Sequence, residues 1–263
     1  MLLAADVGNS NAVFGLFSGD TLLEQWRLHT DWHRQADEWG VLILGLLASA
    51  EFNRDVVESA VIASVVPPVT PALEAALQRH LRCTTLVVRR RHLPEIPLEV
   101  DEPDAVGVDR LINVLAARAM APGPLIIVDF GTATTFDAVS AAGAFLGGAI
   151  APGLGIAAEA LFSHAALLPR IELSAPPAAI GKTTVTNMQS GIVLGYAALV
   201  EGMIERMRRE LGGSALSIAT GGWATTLAPA CPALDRVCPA LTLDGLRLVF
   251  ERVMATEAGR VGR

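Results

Sequence analysis

Leu2 to Phe17 reads LLAADVGNSNAVFGLF. An apolar run ends at Asp6, a polar turn of Gly8, Asn9 and Ser10 follows, and a second apolar run carries Gly15. This is the pattern of a strand, a tight turn and a returning strand. Gly8 lets the backbone turn where a side chain would clash, and it leaves amide groups that an anion can use. Asp6, at the end of a buried strand, points into whatever lies above the turn. The pattern recurs at Leu125 to Val139, LIIVDFGTATTFDAV, with Asp129 after the apolar run, Gly131 at the bend and Thr132, Thr134 and Thr135 as hydroxyl donors. A lone Asp-x-Gly is ordinary turn chemistry. Two copies, each followed by a strand, indicate a duplicated domain whose acidic hairpins hold a nucleotide's phosphates and their cations.

The chain has 263 residues, 52% of them hydrophobic, enough for two lobes with their own cores. The longest apolar stretch, Val41 to Ala50, is about half of what a bilayer helix needs and reads as a buried helix. Met1 runs directly into strand residues without a basic leader, so a signal peptide is not expected. A net charge of −7 argues against nucleic acid or an anionic membrane as a partner, while leaving room for a small anionic substrate. Cys83, Cys231 and Cys238 make no CxxC pair, which suits a reducing cytoplasm without structural zinc. The histidines are scattered and complete no zinc ligand set.

Between the hairpins, Thr21 to His29 reads as a third strand. Asp31 to Ala50 reads as a helix with Trp32, Trp39, Leu42, Ile43, Leu46 and Leu47 on its apolar face, both tryptophans being core or interface. Ser59 to Val66 and Thr84 to Val88 read as buried strands around a helix over Pro71 to Leu81, and Arg89 to Arg91 as a solvated edge. Pro103 and Gly107 then shape a loop before Asp109 and Arg110, which open a helix continuing through Ala116. An arginine there can grip a carboxylate with two prongs, and an aspartate can take a proton from a hydroxyl. The same pair also suits a plain helix start, since acids favour that end of the dipole.

Pro122 to Pro124 marks the boundary between lobes of residues 1–121 and 122–263. In the second, Gly147-Gly148 and Pro152-Gly153-Leu154-Gly155 flank a short strand, with a helix from near Ile156. Gly181-Lys182-Thr183-Thr184 is not a P-loop, because Pro176 stands where the first glycine belongs. A long amphipathic helix runs on from Thr186. A strand at Leu216 to Ala219, the turn Thr220-Gly221-Gly222 and a helix over Leu241 to Met254 complete the chain.

Taken in order, Asp6-Val-Gly-Asn9, Gly107-Val-Asp109-Arg110, Asp129-Phe-Gly-Thr132, Gly147-Gly148 through Pro152-Gly153, Gly181 to Thr184 and Thr220-Gly221-Gly222 resemble the blocks of type III pantothenate kinases over nearly the whole chain. That family belongs to the acetate and sugar kinase/Hsp70/actin superfamily. The resemblance implies an α/β fold of two RNase H-like lobes, each a mixed five-stranded sheet flanked by helices, facing across a cleft. It implies ATP-dependent phosphorylation of pantothenate at its terminal hydroxyl, the first step towards coenzyme A, by a cytoplasmic homodimer. By position, Asp6, Val7, Gly8, Asn9, Ser10, Asn11, Ala12 and Val13 would bind ATP phosphates, with Asp6 near Mg²⁺, and Thr132 would touch ATP. Asp109 would be the general base. Gly107, Val108, Asp109, Arg110 and Thr184 would bind pantothenate, and Asp129 would hold a monovalent cation, K⁺ or NH₄⁺. The first turn carries Asn9-Ser10 where the family often has Asn-Thr, which keeps the hydroxyl. Val100 stands where the family often has a substrate-binding Tyr, so that contact is lost or supplied otherwise. A non-catalytic relative that binds nucleotide or a partner is the alternative that Val100 favours; the intact Asp6, Asp109, Arg110 and Asp129 oppose it. A kinase of another small hydroxy acid or sugar is the third reading.

Overall fold

The computed structural model describes residues 1–261. The chain divides into two compact units. The first takes Met1–Ile96, Asp104–Ala116 and the chain from Thr242 on; the second takes Pro97–Pro103 and Ala117–Leu241.

The first unit is built on β1 (Leu2–Val7), β2 (Asn11–Ser18), β3 (Thr21–His29), β4 (Ser59–Ser64) and β5 (Thr84–Val87), interleaved with α1 (Ala36–Ser49) and α2 (Val69–Ala76). The strand order is β3-β2-β1-β4-β5. The β1–β2 and β2–β3 pairs are antiparallel; β1–β4 and β4–β5 are parallel. Alternation along β1 sends Leu3, Ala5 and Val7 into a core with Trp39, Ile43 and Leu47 of α1 and Leu73 of α2. Leu2, Ala4 and Asp6 therefore lie on the opposite face. There Gly15, opposite Ala4, leaves space for a helix: a Cβ on it would come 2.9 Å from Leu243. That helix is the last of the chain.

α3 (Val108–Met120) leads to the second sheet: β6 (Leu125–Phe130), β7 (Ala133–Val139), β8 (Phe145–Pro152), then α4 (Leu154–His164), α5 (Thr184–Gln189), α6 (Gly195–Glu210), β9 (Leu216–Thr220), α7 (Ala224–Leu227), β10 (Arg236–Val237) and α8 (Leu241–Val261). The order β10-β9-β6-β7-β8 repeats the first sheet strand for strand, with the same pattern of parallel and antiparallel pairs. Ile126, Val128 and Phe130 pack on Val193, Tyr196, Val200 and Ile204, so Asp129 again faces the other way. β1 and β6 share one burial pattern, in which the fifth residue of six, the aspartate, alone is half-buried.

The structure departs from the sequence reading in three places. α1 starts at Ala36 rather than Asp31, because the Asp31 carboxylate accepts the His33 N–H (2.9 Å) and the Asp31 carbonyl the Arg34 N–H (3.3 Å), folding Asp31–Arg34 into a turn. Trp32 is left 52% exposed while Trp39 is buried. Gly147 and Gly148 lie within β8, and α4 begins at Leu154, two residues before Ile156.

In the second unit Arg208 of α6 ties β9 to the segment before β10. Its guanidinium donates to the Ala215 and Ala233 carbonyls (3.0 and 3.2 Å) and to Asp235 (2.5 Å), whose carboxylate also accepts the Ser217 N–H at 2.8 Å. Partial burial pushes the Asp235 carboxyl up, but the Ser217 and Arg208 donors outweigh this and hold it below the usual range. A depressed carboxylate stabilises the fold above its ordinary titration range, and that contribution fades as pH falls through the lowered value. Arg208→Ala is expected to cost about 1–3 kcal/mol by leaving these acceptors short of a donor. Thermal melts at neutral pH read it; an unchanged midpoint would refute the tie.

Candidate active site

In the first unit, Asp6 is the last residue but one of β1, opposite Val13, and Gly8 to Asn11 make the turn, closed by the Gly8 N–H donating to the Asn11 carbonyl (3.0 Å). A Cβ on Gly8 would sit 3.3 Å from that carbonyl oxygen, so the turn suits a residue without one. Buried Thr30, just past β3, grips the turn twice: its hydroxyl donates to the Gly8 carbonyl (2.7 Å) and its N–H to the Ser10 carbonyl (3.0 Å). The Trp32 indole N–H donates to the Asn9 carbonyl at 3.4 Å. Nothing in the sequence pattern singles out these two residues.

Asp109 lies in the first turn of α3, one turn before Asn113. Asn113 is buried and accepts the Thr242 hydroxyl of α8 (2.8 Å), and Gly245 of α8 lies so close to Ile112 that a Cβ would come 2.6 Å from its carbonyl oxygen. Residues four apart share a helix face, so Asp109 is on the stripe turned to the start of α8. That helix covers the sheet face to which Asp6 belongs. The Asp109 carboxylate accepts the Arg110 N–H (2.9 Å) and folds over Gly107, where a Cβ would come 2.4 Å from its Oδ1. Withdrawal from solvent pushes the Asp109 carboxyl above the usual range, in spite of the Arg110 N–H and guanidinium. Val108 and Arg110 are half-buried beside it.

In the second unit, Asp129 pairs with Thr135 of β7 and Thr220 of β9. Gly221 follows at φ +88° and is packed so tightly that a Cβ would meet Asp129 Oδ1 at 2.4 Å. The second turn, Gly131 to Ala133, is one residue shorter than the first. Thr132 is held by the Gly153 N–H donating to its carbonyl (3.1 Å), and a Cβ on Gly153 would come 2.2 Å from that same oxygen. Tyr196 donates its hydroxyl to the Pro152 carbonyl (2.6 Å) beside Thr134 Oγ1 (2.7 Å), fixing β7 to the end of β8. Val100 lies by Gly147, on a strap that pairs with Phe145 of β8 through Pro97, Leu98 and Glu99. Thr184 opens α5. The preceding Gly181-Lys182-Thr183 caps that helix, with Thr183 Oγ1 accepting the Thr186 N–H (3.2 Å) and Thr186 Oγ1 accepting the Lys182 N–H (3.0 Å).

At its turn each hairpin offers one carboxylate, Asp6 or Asp129, beside a glycine bend, and among the described residues no three His, Cys, Asp or Glu side chains gather as a metal cage. Such a donor set suits a hard cation that keeps water and phosphate oxygens as its other ligands.

Two sheets of one strand order, each with an aspartate at the same place on its first strand, define a duplicated α/β fold of the acetate and sugar kinase/Hsp70/actin type. An inorganic polyphosphate/ATP-glucomannokinase from Arthrobacter has this fold, at a TM-score of 0.50 and 15% identity over 97% of this chain and 98% of its own. A candidate Baf-family transcriptional activator from Campylobacter jejuni has it too, at 0.59 and 20% over 96% and 99%. The chain belongs to the type III pantothenate kinase family. The family profile matches residues 2–206. Type III pantothenate kinases of Moorella thermoacetica and Thermomicrobium roseum are 47% and 48% identical to it, each over 96% of this chain and over 99% and 98% of their own length. The chain is thus a kinase that transfers phosphate to an alcohol, and a kinase of this family uses ATP with a divalent metal ion. No described helix is long and apolar enough to cross a membrane.

Proposed function

We propose that this chain phosphorylates the terminal hydroxyl of pantothenate with ATP, as the first step towards coenzyme A. The observation that carries the reading is Asp109. It is a carboxylate withdrawn from water at a helix start, next to an arginine, on the side of the first unit to which Asp6 also belongs. Phosphoryl transfer asks the protein mainly for positioning and for neutralisation of charge. The turn from Asp6 to Val13 would bind the ATP phosphates, with Asp6 near Mg²⁺, and Thr132 would touch ATP. Mg²⁺ bound there supplies charge neutralisation. Asp109 orients the attacking hydroxyl and takes its proton. Arg110 grips the pantothenate carboxylate, and Gly107, Val108, Val100 and Thr184 complete the substrate contacts. Val100 can offer only apolar contact where a tyrosine would also hydrogen-bond. Asp129 would hold K⁺ or NH₄⁺.

The repeated sheets support residues 1–121 and 122–263 as the two copies of a duplication, although α8 packs with the first. Exposed Ile150, Ile156, Leu161, Val185 and Leu199, all on the second unit, support self-association as a homodimer. The net charge of −7 supports a partner list without nucleic acid or membrane, and three cysteines without a CxxC pair support the cytoplasm.

An assay with ATP, pantothenate and K⁺ tests the reading: product formation with pantothenate, and none with other small hydroxy acids or sugars, is expected. ATP binding without turnover would favour the non-catalytic alternative. The rate is expected to rise when K⁺ or NH₄⁺ replaces Na⁺; an equal rate in Na⁺ alone would count against a cation at Asp129.

A further inference from the structure

We propose that Thr30 and Trp32 act as a positioning strap that orients the amides of the first turn towards the phosphates of ATP. The proposal rests on the reading of that turn as the phosphate site. Three successive carbonyls of the turn are each held from the same side: Gly8 by the Thr30 hydroxyl, Asn9 by the Trp32 indole and Ser10 by the Thr30 N–H. Among the described residues all peptide bonds are trans. In a planar trans peptide the carbonyl and the next N–H point in opposite directions. Fixing the carbonyls of Gly8, Asn9 and Ser10 towards the strap thus aims the N–H groups of Asn9, Ser10 and Asn11 away from it, in a row. Successive amides turned one way form the concave nest that recognises oxyanions.

The strap is itself anchored. Asp31 closes its turn through His33 and Arg34. Arg34 donates to the His29 carbonyl (3.1 Å) and lies over the ring of buried Trp39, 4.6 Å from its centroid. The strap therefore connects the core of the first unit to the turn. It also accounts for Trp32 standing 52% exposed just after a strand, with its one hydrogen-bond donor directed at Asn9.

Thr30→Val keeps the volume and the backbone N–H but removes the hydroxyl donor; Thr30→Ser restores it. Trp32→Phe removes the indole N–H from an exposed side chain and so leaves folding untouched. A non-hydrolysable ATP analogue with Mg²⁺, titrated calorimetrically, is expected to bind about tenfold more weakly to Thr30→Val and about threefold more weakly to Trp32→Phe, the scale of one lost hydrogen bond. Thr30→Ser is expected to bind within about twofold of the native protein on the same scale. In turnover, KM for ATP is expected to rise by the same factors while KM for pantothenate stays nearly constant, a split that a general loss of structure would not give. Native-like analogue binding by both Thr30→Val and Trp32→Phe overturns the strap, as does an equal rise in both KM values. Gly8→Ala separates the two levels. If it weakens the analogue and the strap variants do not, the strap alone falls; if it too binds normally, the phosphate reading of the turn falls with it.

Discussion

Turnover of Asp109→Asn is expected to fall by about two to four orders of magnitude, the usual contribution of a positioned general base, while ATP binds almost as to the native protein. Asparagine has the shape of aspartate and keeps an oxygen to accept the Arg110 N–H, so the start of α3 need not move. What it loses is the ability to take a proton. Burial raises the Asp109 carboxyl towards the working pH, where a base is both ionised and strong enough to help. The rate should accordingly climb with pH through a value above the ordinary aspartate range and level off once Asp109 is ionised. The same shift has a cost for the fold. A group whose folded pKa is raised favours the folded state at low pH, and that contribution disappears as pH rises through the folded value. At neutral pH the ionised, half-buried Asp109 therefore works against stability, and Asp109→Asn is expected to melt no lower than the native protein. Kinetics and thermal melts of one variant check both halves. Near-normal turnover would remove Asp109 from the role of base, and a lowered melting point would mean that its charge is satisfied in the fold.

What the chain displays along its length and what it hides follow from the range of the interactions concerned. The two hairpins are legible because each is local: an apolar run, an aspartate, a glycine turn and a returning run within about fifteen residues, with the glycine dictated by backbone sterics. α3 is legible for the same reason, as Asp109 opens an apolar-periodic helix. Trp32 misleads, because its spacing of seven from Trp39 fits one helix face, whereas the Asp31 side chain diverts the backbone into a turn first. β10 is two exposed residues, Arg236–Val237, between proline-rich segments, and only its pairing with Ile218 and Ala219 makes it a strand. The π-type turns at Leu77–Leu81 and Ser190–Leu194 leave no mark in a pattern whose period barely changes. At the site, Thr30 is an unremarkable threonine at a strand end until the fold brings it against a turn more than twenty residues earlier. In the sequence Gly153 reads as a backbone-permissive site beside a short strand and Gly221 as part of a glycine turn. In the structure they are close-contact glycines, each pressed against the second hairpin by chain that arrives from elsewhere in the sequence.

Gly221→Ala is expected to be among the most damaging single-methyl changes in the second unit, and comparison with Gly213→Ala isolates the reason. Both glycines have a left-handed backbone, at φ +88° and +95°. An alanine at either position incurs the same conformational penalty, about 1–2 kcal/mol. Around Gly213 a new Cβ would meet nothing within 4 Å. At Gly221 it would stand 2.4 Å from Asp129 Oδ1 and 2.6 Å from both the N and the C of Phe130. The backbone of β6 cannot retreat: Phe130 is buried in the core, pairs with Thr134 of β7, and its carbonyl accepts the Trp223 N–H at 3.4 Å. The β9 turn must then move off β6, at a further cost of about 1–3 kcal/mol typical of overpacking, and the Asp129 carboxylate loses the close surface that fixes it. Gly213→Ala should therefore lower the melting point modestly and leave the response to K⁺ intact. Gly221→Ala should lower it about one and a half to four times as far on these energies, and abolish any preference for K⁺ or NH₄⁺ over Na⁺. Equal losses of stability in the two variants, with the cation response unchanged in both, would mean that the β9 turn yields freely and that Asp129 keeps its position without it.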